Sequence, residues 1–286
     1  MLRLSLLEYV DIADFAISKD LNRNDLEKIN NQCKDNNLIF CDIPFIDKIT
    51  QFLIMLCKTK KIKINLILTM YDKQPSETIL RQLEDICYKI FVTNLSSRSP
   101  RFFHLPIAFR MNQHNPHYHI ENEKKIERSK EHMVFMCFTI STNRKAREEC
   151  WNEMIEKPFV YYEPQKMYDL RNIEGQYHCG IVPIPHFYEH LHKSFFCVCP
   201  EGDGVDTHRF YESIYLDCIP IVKHSILDKL YSIYPCLIIN EWSDITYEFL
   251  NENKERLLNN LYKFKLANPE WYNNPEYFIE HPIASI

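Results

Sequence analysis

The chain has 286 residues, 45% of them hydrophobic, a net charge of -5 and eleven cysteines. That is enough apolar material for one large domain or two small ones, and the acidic balance excludes a general nucleic-acid binder, which would carry a basic face. No run of 18 apolar residues occurs, so no membrane span is expected, and the opening Met-Leu-Arg-Leu-Ser-Leu-Leu-Glu-Tyr-Val-Asp is too short and too acidic for a signal peptide. Cys41, Cys57, Cys87, Cys137, Cys197 and Cys218 sit in apolar segments and no Cys-x-x-Cys occurs. They read as reduced, buried thiols, and hence as a cytoplasmic chain.

Residues 1–30 give a weak strand or helix and then a polar stretch. Asn37 to Cys41 reads as a strand ending at Asp42-Ile-Pro. A helix follows from Pro44 to Lys58, with Phe45, Ile49, Phe52, Leu53 and Leu56 at helical spacing and Pro44 suited to its first turn. Ile64 to Thr69 makes a second strand that runs into Met70-Tyr71-Asp72. Ser76 and Glu77 open another helix to about Asp85, and Tyr88 to Val92 is a third strand. Strands alternating with helices predict a parallel α/β layer. Asp42 and Asp72 fall just past strand C-termini, where an open α/β sheet places its chemistry. The plain alternative is that each caps the helix after it.

His104 to Ala108 is a short apolar segment, and Arg110 to Lys130 is polar with no apolar period. That stretch is the expected boundary between an α/β domain over residues 1–115 and a second over 131–266, with a tail over 267–286 folding back across the joint. His114, His117 and His119 have a spacing that could bind a metal, but solvated histidines are the simpler reading of a polar linker. His132 to Phe138 reads as a strand, followed by a helix to about Glu156 that Ser141, Thr142 or Asn143 can cap. Arg144, Lys145 and Arg147 crowd its first turns, where positive charge opposes the helix dipole, a conflict that a bound anion would relieve. Val160 to Tyr162 is a short strand, Gly175 to Ile184 a loop, and Phe187 to His192 helical.

The most informative stretch is Ser194 to Val222, which holds two of the four glycines. The apolar run Phe195 to Cys199 ends at Pro200, the loop Glu201-Gly-Asp-Gly-Val-Asp follows, then a helix from about Thr207 to Leu216 and a strand from Cys218 to Val222. The size and order are those of a parallel βαβ crossover. In such a unit the loop and the helix N-terminus face the ligand crevice. Thr207 is placed to cap the helix. Arg209 and Glu212 share one of its faces, a guanidinium suited to a diphosphate and a carboxylate suited to ribose or sugar hydroxyls. The bland reading is that the two pair with each other on a solvated face. Beyond it lie a helical stretch, Ile226 to Ile233, a strand, Cys236 to Ile239, a long amphipathic helix, Glu248 to Leu266, and an aromatic tail.

Phe196, Pro200, Gly202, Gly204, Asp206, Thr207, Arg209, Glu212, Cys218, Ile219, Pro220, Ile221 and Val222 resemble, in this order, the C-terminal motif of exostosin-like glycosyltransferases. That motif is Phe-x-Leu-x-Pro-x-Gly-x-Gly-x-Asp-Thr-x-Arg-x-x-Glu-Ala, then Gly-Cys-Ile-Pro-Ile-Val. Ser213 departs from its alanine harmlessly. Asp217 replaces a glycine, so the turn before the last strand is expected to be built differently. Less sharply, Asp42, Thr69 with Asp72, Asn94, and Pro106-Ile107 with Ala108 in place of glycine are similar to the family's acceptor domain.

The resemblance implies an α/β fold of two Rossmann-like domains facing a cleft (GT-B type) and inverting transfer of a sugar from a nucleotide sugar to a glycan. Its donor-binding residues become Asn143, Arg144, Arg147, Gly202, Gly204, Asp206, Thr207, Arg209 and Glu212. Asp72 becomes the base that takes the acceptor proton, with Asp42 and Asp206 behind it. Asp203-Gly-Val-Asp206 is not an Asp-x-Asp pair, so no essential cation and no cofactor are expected beyond the nucleotide-sugar co-substrate. Small members of the family occur in large algal viruses, where one adds xylose, which makes UDP-xylose the first expected donor and UDP-glucuronate or a GDP-sugar the next. The expected acceptor is an oligosaccharide or a glycoprotein glycan. Two other classes compete: a non-catalytic nucleotide- or carbohydrate-binding module of the same fold, and a metal-dependent hydrolase built on the histidine-rich stretch.

Overall fold

The computed structural model describes residues 8–18, 22–69, 72–109, 116–163, 178–179, 182–269, 271 and 275–286. The chain divides into two units, Arg3–Ile107 with Asn274–Ile286, and Ala108–Asn273.

The first unit runs α1 (Glu8–Asp11), β1 (Phe15–Ile17), α2 (Arg23–Gln32), β2 (Leu38–Asp42), α3 (Ile43–Lys60), β3 (Ile64–Thr69), α4 (Glu77–Glu84), β4 (Cys87–Thr93) and β5 (Phe102–Leu105). Its strands lie side by side in chain order and all run parallel. β2, β3 and β4 are near-continuous apolar runs because a parallel sheet is covered on both faces, and Ile39, Leu66, Leu68, Ile90 and Val92 are fully buried. α3 lays Ile46, Ile49, Leu53, Leu56 and Cys57 against this core and stops at Lys61, which takes a left-handed φ of 55°. α2 was hidden in a polar stretch. Among its described side chains Ile29 is the buried one, and its start is fixed by a capping box between Asn22 and Asp25.

The second unit runs α5 (Pro116–Lys124), β6 (His132–Met136), α6 (Arg144–Met154), β7 (Val160–Tyr162), β8 (His178–Cys179), β9 (Val182–Pro183), α7 (Ile184–His192), β10 (Ser194–Val198), α8 (His208–Tyr215), β11 (Ile219–Lys223), α9 (Asp228–Tyr231), β12 (Leu237–Ile239) and α10 (Tyr247–Ala267). The order of its main sheet is β12-β11-β10-β6-β7, all parallel. The chain winds outward from β6 to β7, then crosses back over β6 to β10. The strand order therefore reverses between β6 and β10, and in open α/β sheets ligands bind outside the carboxyl ends of the strands at such a switch point.

α5 occupies part of the stretch expected to be a featureless linker. After α10 the chain returns to the first unit, where α11 (Pro275–Glu280) leads to β13 (Ile283–Ala284). β13 pairs antiparallel with β5, and Ser285 exchanges hydrogen bonds with Ser99. This covers an edge that would otherwise present open backbone groups.

Of the ten cysteines whose side chains are described, nine are buried, and burial pushes the thiol of Cys57 up to about 11 and that of Cys236 up to about 12. No helix among the described residues is long and apolar enough to cross a membrane.

The turn before β11 is the glycine-type turn after all. Asp217 stands one residue past the end of α8 with φ 57°. The Cys218 amide reaches back to the Ser213 carbonyl and the Asp217 amide to that of Ile214, the two bonds of a Schellman motif. A side chain in the left-handed region costs roughly 1 kcal/mol. In exchange the Asp217 carboxylate receives Lys124 on one oxygen and Lys265 on the other, while Lys130 donates to its carbonyl at 2.7 Å. Burial pushes the Asp217 carboxyl up, but Lys265 and Lys124 together hold it below its ordinary range. Ala108, the other residue standing where the family has glycine, also takes a left-handed φ, 56°.

Candidate functional site

The segments after β6 and β10 meet at the switch point, and two side chains from the start of α6 bind them together. Asn143 caps α6, its Oδ1 accepting from the Ala146 amide at 3.4 Å, and donates from Nδ2 to the Gly202 carbonyl at 2.9 Å. Arg147 is buried. Its Nε donates to the Glu201 carbonyl at 3.0 Å and its Nη1 to the Thr139 carbonyl at 2.7 Å. The conflict between this arginine and the helix dipole is thus met by carbonyl dipoles of the two flanking segments. A Cβ on Gly202 would lie 2.8 Å from Arg147 Nη2, so a side chain there would press on the guanidinium. The Gly202 amide donates to the Gly204 carbonyl at 2.8 Å, which closes the loop on itself.

Asp206 anchors the other end of the loop. It is buried, with Oδ1 accepting from the Thr207 amide at 3.0 Å and from Tyr231 Oη at 3.3 Å, and Oδ2 accepting from Tyr211 Oη at 2.7 Å. A carboxylate so engaged holds the loop and does not suit a base offered to an acceptor. Burial, reinforced by the Asp206 charge, holds both phenols well above their ordinary range, so they remain donors. Thr207 occupies the N-cap position of α8, but its side chain makes no capping bond, and it is half-buried.

Arg209 and Glu212 lie on the inward face of α8, at 6% and 0% exposure, which removes the solvated-pair reading. The Arg209 guanidinium stands over the rings of Phe138 and Phe187, each 5.9 Å from the ring centre, an arrangement that favours a cation. Glu212 Oε1 accepts from Tyr188 Oη at 3.0 Å. His208, at the start of α8, is held by a hydrogen bond between Nδ1 and the Ala108 carbonyl at 2.8 Å.

Arg144 is spent on an exposed pair with Glu148 at 2.7 Å, and that carboxylate raises its pKa. Asp42 and Asp72 belong to the first unit. Asp42 closes β2 directly opposite Thr69 of β3 and precedes α3 without a side-chain capping bond. Asp72 follows three residues beyond Thr69 and is exposed. Both are thus at carboxyl ends of adjacent strands. His114 and the side chain of His117 lie outside the described residues, and His119 rides on α5 with its ring edge-on to Tyr118.

A cleft of about 130 Å3 opens beside the glycine loop on the β11 side, lined among others by Glu149, Pro200, Glu201, Lys223, His224 and Trp242. It is roomy enough for a ring system and too small for a whole nucleotide sugar. Lys223, on its wall, lies 2.6 Å from Glu149 and 2.7 Å from Glu241.

Sequence reasoning did not find Tyr188, Tyr211 or Tyr231, which orient the two carboxylates, nor Phe138 and Phe187 under Arg209. The spacing of Asp206 and Tyr211, one turn apart on either side of a helix start, was the one local signal for any of them.

The sequence profile of the Exostosin GT47 domain matches residues 66–234. No curated protein shows a significant match. Among solved structures, the alpha,alpha-trehalose 6-phosphate synthase of Burkholderia multivorans is similar at 9% identity and a TM-score of 0.43, over 91% of this chain and 75% of that one. The profile runs from β3 past α9, through the switch point and more than half of the sequence, and on that ground the chain belongs to the exostosin GT47 family of glycosyltransferases.

Proposed function

We propose that the chain transfers one sugar, with inversion at the anomeric carbon, from a nucleotide sugar held at the β6/β10 switch point to a hydroxyl of an oligosaccharide or glycoprotein glycan. The observation that carries this is the glycine loop itself. Arg147 and Asn143 fix it through Glu201 and Gly202, Asp206 fixes its far end, and α8, which follows directly, carries Arg209 and Glu212 on its buried face.

In this reading the glycine loop and the start of α8 receive the diphosphate, with Arg209 supplying a cation from the first turn of α8 and Arg147, bonded to the loop, adding its charge to the field. Glu212, oriented by Tyr188, holds the ribose or donor-sugar hydroxyls. The cleft lined by Lys223, His224 and Trp242 receives the base. Asp72 takes the proton of the acceptor hydroxyl as its oxygen bonds to the anomeric carbon, and the bond to the diphosphate breaks with the electron pair leaving on phosphate. Stabilisation of the leaving group is assigned to positive charge and amides, since Asp206 is committed to Thr207, Tyr211 and Tyr231. A uridine diphosphate donor is the first choice and xylose the first sugar, with UDP-glucuronate and GDP-sugars next.

The test is release of nucleoside diphosphate from a panel of UDP- and GDP-sugars with glycan acceptors, for wild type and Arg209→Ala. Turnover of one donor by wild type, with loss in the variant and product of inverted anomeric configuration by NMR, is the expected result. Equal turnover by Arg209→Ala refutes the site. Binding of nucleotide with no turnover of any donor favours the receptor reading.

A further inference from the structure

Outside the donor loop, Glu163, His186 and His190 bring one ligand atom each within 4.8 Å of one another. Glu163 directly follows the short edge strand β7, and the two histidines lie one turn apart on the same face of α7. His186 Nε2 is 2.6 Å from Glu163 Oε1. Tyr161 Oη donates to that same oxygen at 3.2 Å and lies 3.5 Å from His190 Nε2. The other nitrogen of His190, Nδ1, faces His132 Nε2 at 3.4 Å. Tyr161 stacks on His132 at 4.1 Å and on His190 at 4.6 Å between ring centres, so the rings are held in fixed orientations.

We propose that Glu163, His186 and His190 form a binding site for a divalent metal ion of the zinc class. Two imidazoles and a carboxylate are the donor set such an ion takes when it keeps a fourth position open. Bonds of about 2.0–2.1 Å in a tetrahedron put ligand atoms about 3.4 Å apart. The His186–Glu163 pair would open by under an ångström and the widest pair close by little more than one. A His190 ligand contacted on its second nitrogen by His132 has the outer support that metal-bound histidines use. The ion would tie a three-residue edge strand to α7. That helix also carries Tyr188, the partner of Glu212, so the ion would stiffen the support of α8. The simpler arrangement is a hydrogen-bonded cluster that takes up no metal, and experiment separates the two.

The full chain is stripped with a chelator and titrated with Co2+, followed by visible absorption, and the melting temperature is recorded with and without Zn2+. One equivalent of Co2+ per chain, without thiolate charge-transfer bands, displaced by Zn2+ and accompanied by a higher melting temperature, is expected. His186→Ala, at a partly exposed position, and the near-isosteric Glu163→Gln should each weaken uptake tenfold or more while the metal-free melting temperature stays near wild type. No stoichiometric uptake, uptake with thiolate bands, or uptake unchanged in both variants overturns the proposal.

Discussion

Gly202→Ala tests the packing that shapes the donor loop. The added Cβ would stand 2.8 Å from Arg147 Nη2, while its next neighbour, Thr142 Cγ2, is at an ordinary 3.6 Å. Ordinary contact begins at 3.4 Å, so the guanidinium must retreat by 3.4 - 2.8 = 0.6 Å. It is pinned at 3.0 Å to the Glu201 carbonyl and at 2.7 Å to that of Thr139, and a shift of that size takes at least one bond out of range. Losing one hydrogen bond to a charged group costs about 1.5–3 kcal/mol, in line with overpacking elsewhere. Urea denaturation should show that loss, or about 4–8 °C in melting temperature for a unit of this size. The decisive comparison is made in an Arg147→Met background, where the clashing nitrogen is gone. There Gly202→Ala should be nearly neutral, a coupling of about 1.5–3 kcal/mol. Additive effects of the two substitutions would refute this role for the glycine.

Asp217→Asn keeps a residue tolerant of the left-handed region but leaves Lys124 and Lys265 without their carboxylate. Asp217→Gly loses the same charge and relieves the backbone, so it should be the more stable of the two by about 1 kcal/mol in denaturant titrations; the reverse order would refute the Schellman account. Lys265 is held down to about 8 by burial, with Lys124 on the same carboxylate adding to it and Asp217 opposing. Its folded pKa is below its unfolded one, so between about pH 8 and the ordinary lysine range the unfolded state binds more protons and this contribution to stability rises with pH. Relative to Lys265→Met, wild type should therefore gain stability over that window. Parallel pH profiles would contradict the assignment. Tyr211→Phe removes a buried bond to the Asp206 carboxylate and should cost about 1.5–3 kcal/mol, with weaker nucleotide binding; an unchanged melting curve would show that Asp206 does not depend on it. Asp72→Asn should lower transfer by ~10²–10⁴-fold, as loss of a general base does, with unchanged stability at so exposed a site. Full activity would return the role to Asp42.

Much of the fold was legible because its signals are local. The apolar runs of β2, β3 and β4, the helical spacing of α3, and the strand, glycine loop, helix, strand order around Gly202 are written in short stretches. α2 and α5 were not read as helices because neither carries a strong apolar face; α2 starts on a side-chain cap at Asn22. The two residues of β13 are too few to show a period. The strand order, and with it the switch point, depends on which strand crosses back over β6, which no local pattern encodes.

The site was legible in its charges and not in its supports. Arg209 and Glu212 stood out by spacing, and their burial excludes a solvated pair. Arg147 was marked by its conflict with the α6 dipole, but its partners are backbone carbonyls, which carry no sequence signature. Asp206 read as a donor-binding residue and a reserve candidate for the general base because its tyrosine partners come from α8 and α9. The turn at Asp217 kept its glycine conformation, since Lys124 and Lys265 gather on the carboxylate from distant helices.

The most direct measurement is calorimetric titration of wild type, Arg209→Ala and Glu212→Gln with UDP, the first-choice diphosphate, and with GDP. Recognition at the glycine loop predicts that wild type binds one of them, that Arg209→Ala binds it at least tenfold more weakly, and that Glu212→Gln, which keeps the shape but not the charge, falls between. Equal affinity for all three proteins would place the nucleotide elsewhere and contradict the donor site drawn here.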